Sequence, residues 1–221
     1  MSAPKYIPAL RFDWLTVVYD PVLRLTTHET AFKTALVKQI DVKSGGRALD
    51  LACGTGTLTM MVKNAYPETA VFGIDGDLKI LEIAKRKANR AGVKVEFDSG
   101  LSFELPFPDK SFDCVVSSLF FHHLTRDNKL RTLREVRRIL KPDGELLVAD
   151  WGLPENLLMK FASRGIKLLD GVETTADSFD GLLPSFVNEC GFREVKETSH
   201  FNTLFGTIRL LKAIKQGDIF R

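Results

Sequence analysis

Leu49-Asp50-Leu51-Ala52-Cys53-Gly54-Thr55-Gly56-Thr57 is the stretch on which the fold turns. An apolar, strand-like run leads into two close glycines and then a helix-forming segment, with an acid four residues before the first glycine. Glycine permits the tight strand-to-helix turn and lets a backbone approach a ligand where a Cβ would collide. A second acid, Asp75, closes the next apolar run, Thr69-Ala70-Val71-Phe72-Gly73-Ile74. A nucleoside-binding α/β sheet needs an acceptor for ribose hydroxyls at about that place. The glycine turn and the two acids together predict a nucleoside-cofactor site.

Outward from this centre, strand and helix patterns alternate. Strands are expected over residues 47–52, 70–75, 93–98, 112–118 and 145–150, with helices at about 57–66, 78–90 and 127–140 between them. Asp113-Cys114-Val115-Val116-Ser117 is apolar nearly throughout, as a strand covered by helices on both faces must be. Such alternation implies a doubly wound, mostly parallel sheet. Before it, residues 28–41 show helical spacing, and Lys43-Ser44-Gly45-Gly46 breaks that helix. Asp77 is placed to cap the helix that follows it, and Lys141-Pro142-Asp143-Gly144 to turn a helix into a strand. After residue 152 the pattern changes: helices are expected at 154–169 and from Leu182 to Cys190, then strands at 193–201 and 207–215. Two consecutive strands with a tight link pair antiparallel to each other and close one edge. The reading is therefore seven strands in a Rossmann-like α/β domain.

The 221 residues suit a single domain, divided into a cap or arm at 1–27, a core at 28–152, covering helices and a loop at 153–190, and closing strands at 191–221. A net charge of +3 argues for neither nucleic acid nor membrane as partner. Cys53, Cys114 and Cys190 match no zinc or redox spacing, so no metal site is expected, and sparse thiols point to a reducing compartment. The opening residues lack the charged and apolar blocks of a signal peptide, and no apolar run approaches the ~18 residues of a bilayer span. A cytoplasmic monomer or homodimer is the expectation.

These residues carry a resemblance to class I S-adenosylmethionine-dependent methyltransferases of the small-molecule type, above all to the ubiquinone/menaquinone-biosynthesis C-methyltransferases. It runs from about Tyr19 to Lys215 and is strongest over Ala48–Thr57, Gly73–Ala88, Gly100–Leu124 and Leu133–Asp150. The resemblance implies S-adenosyl-L-methionine as cofactor and S-adenosyl-L-homocysteine as product. It implies that backbone around Ala52, Cys53, Gly54, Thr55 and Gly56 meets the methionine part, whose carboxylate suits amides at a helix N-terminus. Asp50 would face the ammonium. Asp75, beside Gly76, would accept from both ribose hydroxyls. Gly100, Leu101 and Ser102 would form the adenine turn. Aligning on Leu105-Pro106-Phe107 puts Leu101 where the family usually has an acid, a departure that removes one acceptor, about 0.5–1.5 kcal/mol. Ala52 likewise stands where glycine is frequent. Ser117, Ser118, Leu119 and Phe120, just past the fourth strand, would line cofactor and acceptor, and Tyr19 would cover the sulfonium with its ring.

For catalysis the sequence offers only candidates. His123 is a candidate general base, although a loop-ordering hydrogen bond is the favoured reading, and His122 is the weaker choice. Asp150 could orient or deprotonate an acceptor, against the commoner reading of a solvated strand-end acid; Tyr19 is the third candidate. Arg126, Lys129, Arg131, Arg134, Arg137, Arg138 and Lys141 read as a solvated basic face, since no aromatics interleave as a nucleic-acid surface requires. The acceptor is expected to be a small, partly apolar molecule, such as a quinol-like ring or a lipid-like amine, bound under residues 1–27 and 152–190, with 170–181 as a lid. The rivals are a non-catalytic or sensory binder of the same cofactor and a nucleotide-dependent oxidoreductase. The latter wants a third glycine where Thr59 stands. RNA and protein methyltransferases rank lower, because Ser117-Ser118-Leu119-Phe120 lacks the Asn/Asp-Pro-Pro-Tyr/Phe pattern of base-modifying enzymes.

Overall fold

The computed structural model describes residues 29–155, 177–178, 180–203 and 206–217. The expected N-terminal cap with Tyr19, the helix at 154–169 and most of the 170–181 segment lie outside these residues. Helix α1 (Glu29–Val37) precedes β1 (Arg47–Leu51), α2 (Thr57–Ala65), β2 (Ala70–Asp75), α3 (Leu78–Ala91) and β3 (Glu96–Ser99). Then come β4 (Phe112–Ser118), a 3₁₀ turn (Phe121–His123), α4 (Arg126–Ile139), β5 (Leu140–Gly152), α5 (Leu183–Glu189), β6 (Phe192–Asn202) and β7 (Thr207–Lys215). Seven strands form one sheet in the order β3-β2-β1-β4-β5-β7-β6, in which β7 runs antiparallel to both β5 and β6. This is the doubly wound, Rossmann-like architecture expected, with its antiparallel strand near one edge.

Alternation along the buried strands builds two cores. Leu49, Leu51, Phe72, Ile74, Val115, Leu146 and Val148 point to one face and pack with Leu133, Val136 and Ile139 of α4 and Phe186 and Val187 of α5. Ala48, Val71, Cys114, Val116, Leu147 and Ala149 point to the other, against Phe32, Leu36 and Val37 of α1 and Leu58 and Val62 of α2. Each large side chain among them, removed from water, contributes roughly 1.5–3 kcal/mol. Burial on both faces is why these strands read as apolar throughout.

Helix boundaries follow local chemistry. The Asp77 carboxylate accepts from the amides of Lys79 and Ile80 at the start of α3, as expected, and Gly92 in the left-handed conformation ends it. Thr125 caps α4 by accepting from the amide of Asn128. The Lys-Pro-Asp-Gly segment behaves differently from expectation. Leu140 pairs with Phe112 and Glu145 with Cys114, so residues 141–144 loop out of a ladder that already began at Leu140. Lys141 Nζ holds the Asp113 carboxylate at 2.8 Å there, and Arg47 donates its backbone N–H to the same group. Strand β3 also starts later than expected, at Glu96.

The basic helix departs further from expectation. Lys129 is 1% exposed and pairs with Asp177 at 3.7 Å, its ammonium pulled below the ordinary lysine range by burial against the opposing pull of Asp177 and Asp150. Arg138 reaches Glu135, Asp109 and the carbonyls of Leu105 and Phe107, tying the turn after β3 to α4. Only part of this face is solvated, because the helix lies on the loop at 105–109 and beside Asp177. Among the described residues no helix is long and apolar enough to cross a membrane.

Candidate active site

The carboxyl ends of β1, β2, β4 and β5 meet at one edge. Leu51 sits level with Ile74 of β2 and Ser117 of β4, and Ser118 level with Ala149 of β5. Strand order changes direction beside β1, since β2 and β3 lie on one side and β4 and β5 on the other. Ligands of open α/β sheets bind at such a switch point.

Beyond Leu51 the chain turns through left-handed backbone at Ala52 (φ 57), Gly54 (φ 53) and Gly56 (φ 73). Cys53 N–H still bonds to the Ile74 carbonyl, and Gly56 N–H closes the turn on the Cys53 carbonyl. The two glycines have different reasons. A Cβ on Gly54 would meet nothing within 4 Å, so its α-carbon faces open space above the sheet edge. On Gly56 a Cβ would lie 2.8 Å from the Phe97 ring and 3.2 Å from Ala84, so this glycine seats α2 against β3 and α3. Ala52 holds a conformation that costs a β-carbon-bearing residue of the order of 1–2 kcal/mol, which gives the frequent glycine at this place its physical reason. Leu119, at the end of β4, is also left-handed (φ 53). Two strained residues at the tips of adjacent central strands are typical of a functional edge.

Helix α2 begins at Gly56 without a side-chain cap, leaving its first amides directed at this edge. Beneath them Asp50 is buried, 1% exposed, and its Oδ2 accepts the Thr59 hydroxyl proton at 2.7 Å. Burial pushes its carboxyl up to about 7, against the pull of the Thr59 hydroxyl. Thr59, which departs from the dehydrogenase glycine pattern, is therefore the partner of Asp50. Asp75 accepts from the amides of Gly54 at 2.9 Å and Asp77 at 3.0 Å, one on each oxygen. Burial raises its carboxyl nonetheless. The Gly76 amide also favours the ionised carboxyl, and the carboxylate retains acceptor capacity for an incoming hydroxyl. Gly76 stands exposed beside it.

The remaining expected residues fall in two groups. Gly100 closes on Asp75 through its N–H to the Asp75 carbonyl, and its Cβ would strike Ile74 at 2.9 Å. Leu101 bridges to Glu104 through backbone, while the Ser102 hydroxyl turns to Thr132 of α4 at 2.9 Å. Thr55, Ser118 and Leu119 are partly exposed at the edge. Ser117 is fully buried, and its hydroxyl donates to the Leu51 carbonyl at 2.9 Å. Its side chain therefore braces β1 against β4, and Cys53, also buried, packs on Gly73.

Asp150 is not a solvated strand-end acid. It is 2% exposed, and its Oδ1 lies 2.6 Å from His122 Nδ1 and accepts the Trp151 N–H at 2.7 Å. Its Oδ2 accepts the His122 N–H at 3.2 Å. Burial alone would raise the Asp150 carboxyl, but His122 and the amide of Trp151 outweigh it and hold the group below the usual carboxylate range. His123 stacks on His122 with ring centroids 3.9 Å apart, and burial, then repulsion from any proton gained by His122, brings its imidazole down to about 3. His123 is thus a neutral neighbour, and the paired histidine is His122, which sequence reasoning ranks lower. The available signal is weak: a doubled histidine one short turn after a strand, with an acid at the tip of the next strand.

Comparison with known proteins points the same way. Residues 48–144 match the family model described as a methyltransferase domain. The chain is 28% identical over 210 residues to a demethylmenaquinone methyltransferase of Lactobacillus johnsonii, covering 92% of this chain and 80% of that protein. With the demethylmenaquinone methyltransferase of Thermus thermophilus it shares 39% identity over 112 residues, 51% of this chain and 50% of the relative. In fold it is similar to a SAM-dependent methyltransferase from Methanosarcina mazei, with a TM-score of 0.63 at 21% identity, covering 80% of this chain and 95% of that one. The sheet order, the glycine turn with its two acids, and these relatives together lead to one conclusion: the chain carries a methyltransferase domain, similar in fold and sequence to the class I enzymes, and is a methyltransferase that uses S-adenosylmethionine as cofactor.

Proposed function

We propose that the protein methylates a small, partly apolar acceptor, a hydroxylated ring of the quinol type, by in-line displacement that depends mainly on positioning. The observation that carries the cofactor half is the open space over left-handed Gly54 beside Asp75, with uncapped α2 amides on one side and the buried Asp50 carboxyl below. The donor set fits the cofactor: amides for a carboxylate, Asp50 for an ammonium, and Asp75 for a pair of vicinal hydroxyls. S-adenosylmethionine supplies a methyl group on a sulfonium, already activated for displacement. What remains for the protein is alignment, from which ~7–11 kcal/mol of barrier lowering is attainable.

Gly54, Gly56 and the Asp75 carboxylate hold one partner, while Ser118, Leu119 and the residues after β4 border the other. Leu101 offers only backbone to the adenine, so recognition of the base rests on the turn at 100–102. The demethylmenaquinone methyltransferase relatives favour a ring acceptor over a nucleic acid or protein. A single globular unit spanning the sheet and its covering segments is part of this reading. Methyl-labelled S-adenosylmethionine, offered with a short-chain demethylmenaquinol, a lipid amine and an RNA, tests it. Label is expected on the quinol; label on RNA alone would refute the acceptor class. Asp75→Ala is expected to weaken S-adenosylhomocysteine binding well over tenfold by calorimetry, and wild-type affinity would overturn the ribose assignment.

A further inference from the structure

We infer that His122 is the proton acceptor of the transfer and that Asp150 is its positioning residue, an assignment that rests on the ring-hydroxyl reading above. The geometry carries it. The two groups come from different elements, the 3₁₀ turn after β4 and the tip of β5, and are 3% and 2% exposed. Asp150 fixes His122 from two directions, through the ring Nδ1 at 2.6 Å and the backbone N–H at 3.2 Å. With Asp150 ionised, Nδ1 carries the ring proton and Nε2 presents a lone pair. Among the described residues Nε2 has no hydrogen-bond partner. A buried, oriented imidazole with one nitrogen held by a carboxylate and the other uncommitted is the arrangement that general-base catalysis needs.

Placement agrees with this role. The 3₁₀ turn starts two residues after the strained Leu119, on β4, the strand next to β1, whose end carries Asp50 and the glycine turn. Leu119 N–H bonds to the Ala149 carbonyl, which brings the end of β4 against the residue preceding Asp150. Among the described residues the charged and titratable groups around the pair are His123, stacked on His122, Lys129 of α4, whose charge acts on Asp150, and Arg209 of β7, opposite Asp150 in register. Behind Lys129 stands Asp177, which also pairs with Arg126 at 3.7 Å. The His122 ring and the Trp151 N–H hold Asp150 below the usual carboxylate range, so the proton taken by His122 stays on the imidazole.

In this step the acceptor's O–H proton passes to His122 Nε2, and the O–H electron pair remains on the acceptor. A lone pair of the resulting oxyanion, or the ring carbon that shares its charge, forms the new bond to the methyl carbon. The electrons of the old sulfur–methyl bond stay on sulfur and discharge the sulfonium. When carbon is methylated, the ring C–H proton passes to water and its electron pair restores the aromatic ring, while the oxygen takes back the proton held on His122.

The test uses the full chain with His122→Asn and Asp150→Asn. The carboxamide introduced by His122→Asn can still donate to Asp150 from the position of Nδ1 but has nothing at the position of Nε2. Acceptors are a short-chain demethylmenaquinol and a series of dihydroxynaphthalenes with increasingly acidic hydroxyls. Calorimetry with S-adenosylhomocysteine is expected to give affinities within about twofold of wild type, which separates this assignment from the cofactor reading. For His122→Asn, kcat on the quinol is expected to fall on the order of 10²-fold or more with KM little changed. The loss should shrink steadily as the acceptor hydroxyl becomes more acidic. For Asp150→Asn, nitrogen-15 NMR of the imidazole is expected to show the His122 proton moved from Nδ1 toward Nε2, with a matching loss of kcat. A wild-type rate in His122→Asn, a loss independent of acceptor acidity, or a wild-type enzyme that binds the cofactor yet methylates none of these hydroxyl acceptors would each overturn it.

Discussion

Replacing Asp50 by asparagine isolates the cost of holding a carboxyl under the glycine turn. Asp50 is 1% exposed, its Oδ2 accepts from Thr59, and burial moves it from the ordinary 3.8 to about 7. The folded state therefore binds this proton more tightly than the unfolded chain does, and stability falls as pH rises from about 4 to about 7. A pH decade is worth about 1.4 kcal/mol, so the penalty has a ceiling of about 4 kcal/mol, fully developed above pH 7. In Asp50→Asn the amide oxygen still accepts from Thr59 and no charge is buried. Urea unfolding of the unliganded protein is expected to give nearly equal stabilities at about pH 3.5 and an advantage of about 2 kcal/mol or more for the variant at pH 8. The cost is functional, because an ammonium placed beside Asp50 needs its charge. Calorimetry at pH 7 in buffers of different ionisation enthalpy should show the wild type releasing part of a proton on binding S-adenosylhomocysteine, and the variant releasing none while binding at least tenfold more weakly. Parallel stability–pH curves for the two proteins would refute the assignment of the penalty to Asp50.

Other substitutions probe the neighbouring turn. Ala52→Gly removes a Cβ from left-handed backbone at φ 57 and is expected to gain about 0.5–1 kcal/mol in urea unfolding, the relief of strain exceeding the added flexibility of the unfolded chain. Gly56→Ala must displace the Phe97 ring at 2.8 Å from a left-handed position, and a loss on the order of 1–3 kcal/mol is expected by the same assay. Leu101→Asp restores an acceptor at the adenine turn; calorimetry should give an affinity for S-adenosylhomocysteine equal to or better than wild type, and a large loss would place the turn one residue away.

What the sequence makes legible is what short-range patterning controls. Strands whose faces are both buried, such as Val115-Val116 and Leu146-Leu147-Val148, are apolar on consecutive residues, and the helices between them carry caps that local chemistry identifies, Asp77 above all. The glycine turn is legible because φ near +60 and close packing leave glycine few rivals. Pairings across the fold are a different matter. His122 meets Asp150 only because β4 and β5 are parallel neighbours whose ends coincide, and adjacent histidines look alike in a sequence. Lys129 looks like its basic neighbours on α4; what buries it is Asp177, which belongs to a distant segment. The Asp50–Thr59 bond escapes notice for the same reason, since a threonine at a third-glycine position reads as an absence until the helix brings its hydroxyl back over the strand.

The route of the last strand bears on how this enzyme comes into being. Strand β7 pairs with β5 along eight residues, from Glu145↔Ile214 to Gly152↔Thr207, and sets Arg209 directly opposite Asp150. Arg209 then grips the Leu153 carbonyl together with Glu155 and Glu197. During synthesis, the nucleotide-facing half of the sheet finds all its strand neighbours before the end of β5, whereas the flank of β5 that steadies the histidine's partner is supplied by the tail. In chain order the coenzyme edge is thus complete at β5, while the flank behind Asp150, and part of the core under the sheet, waits for the tail.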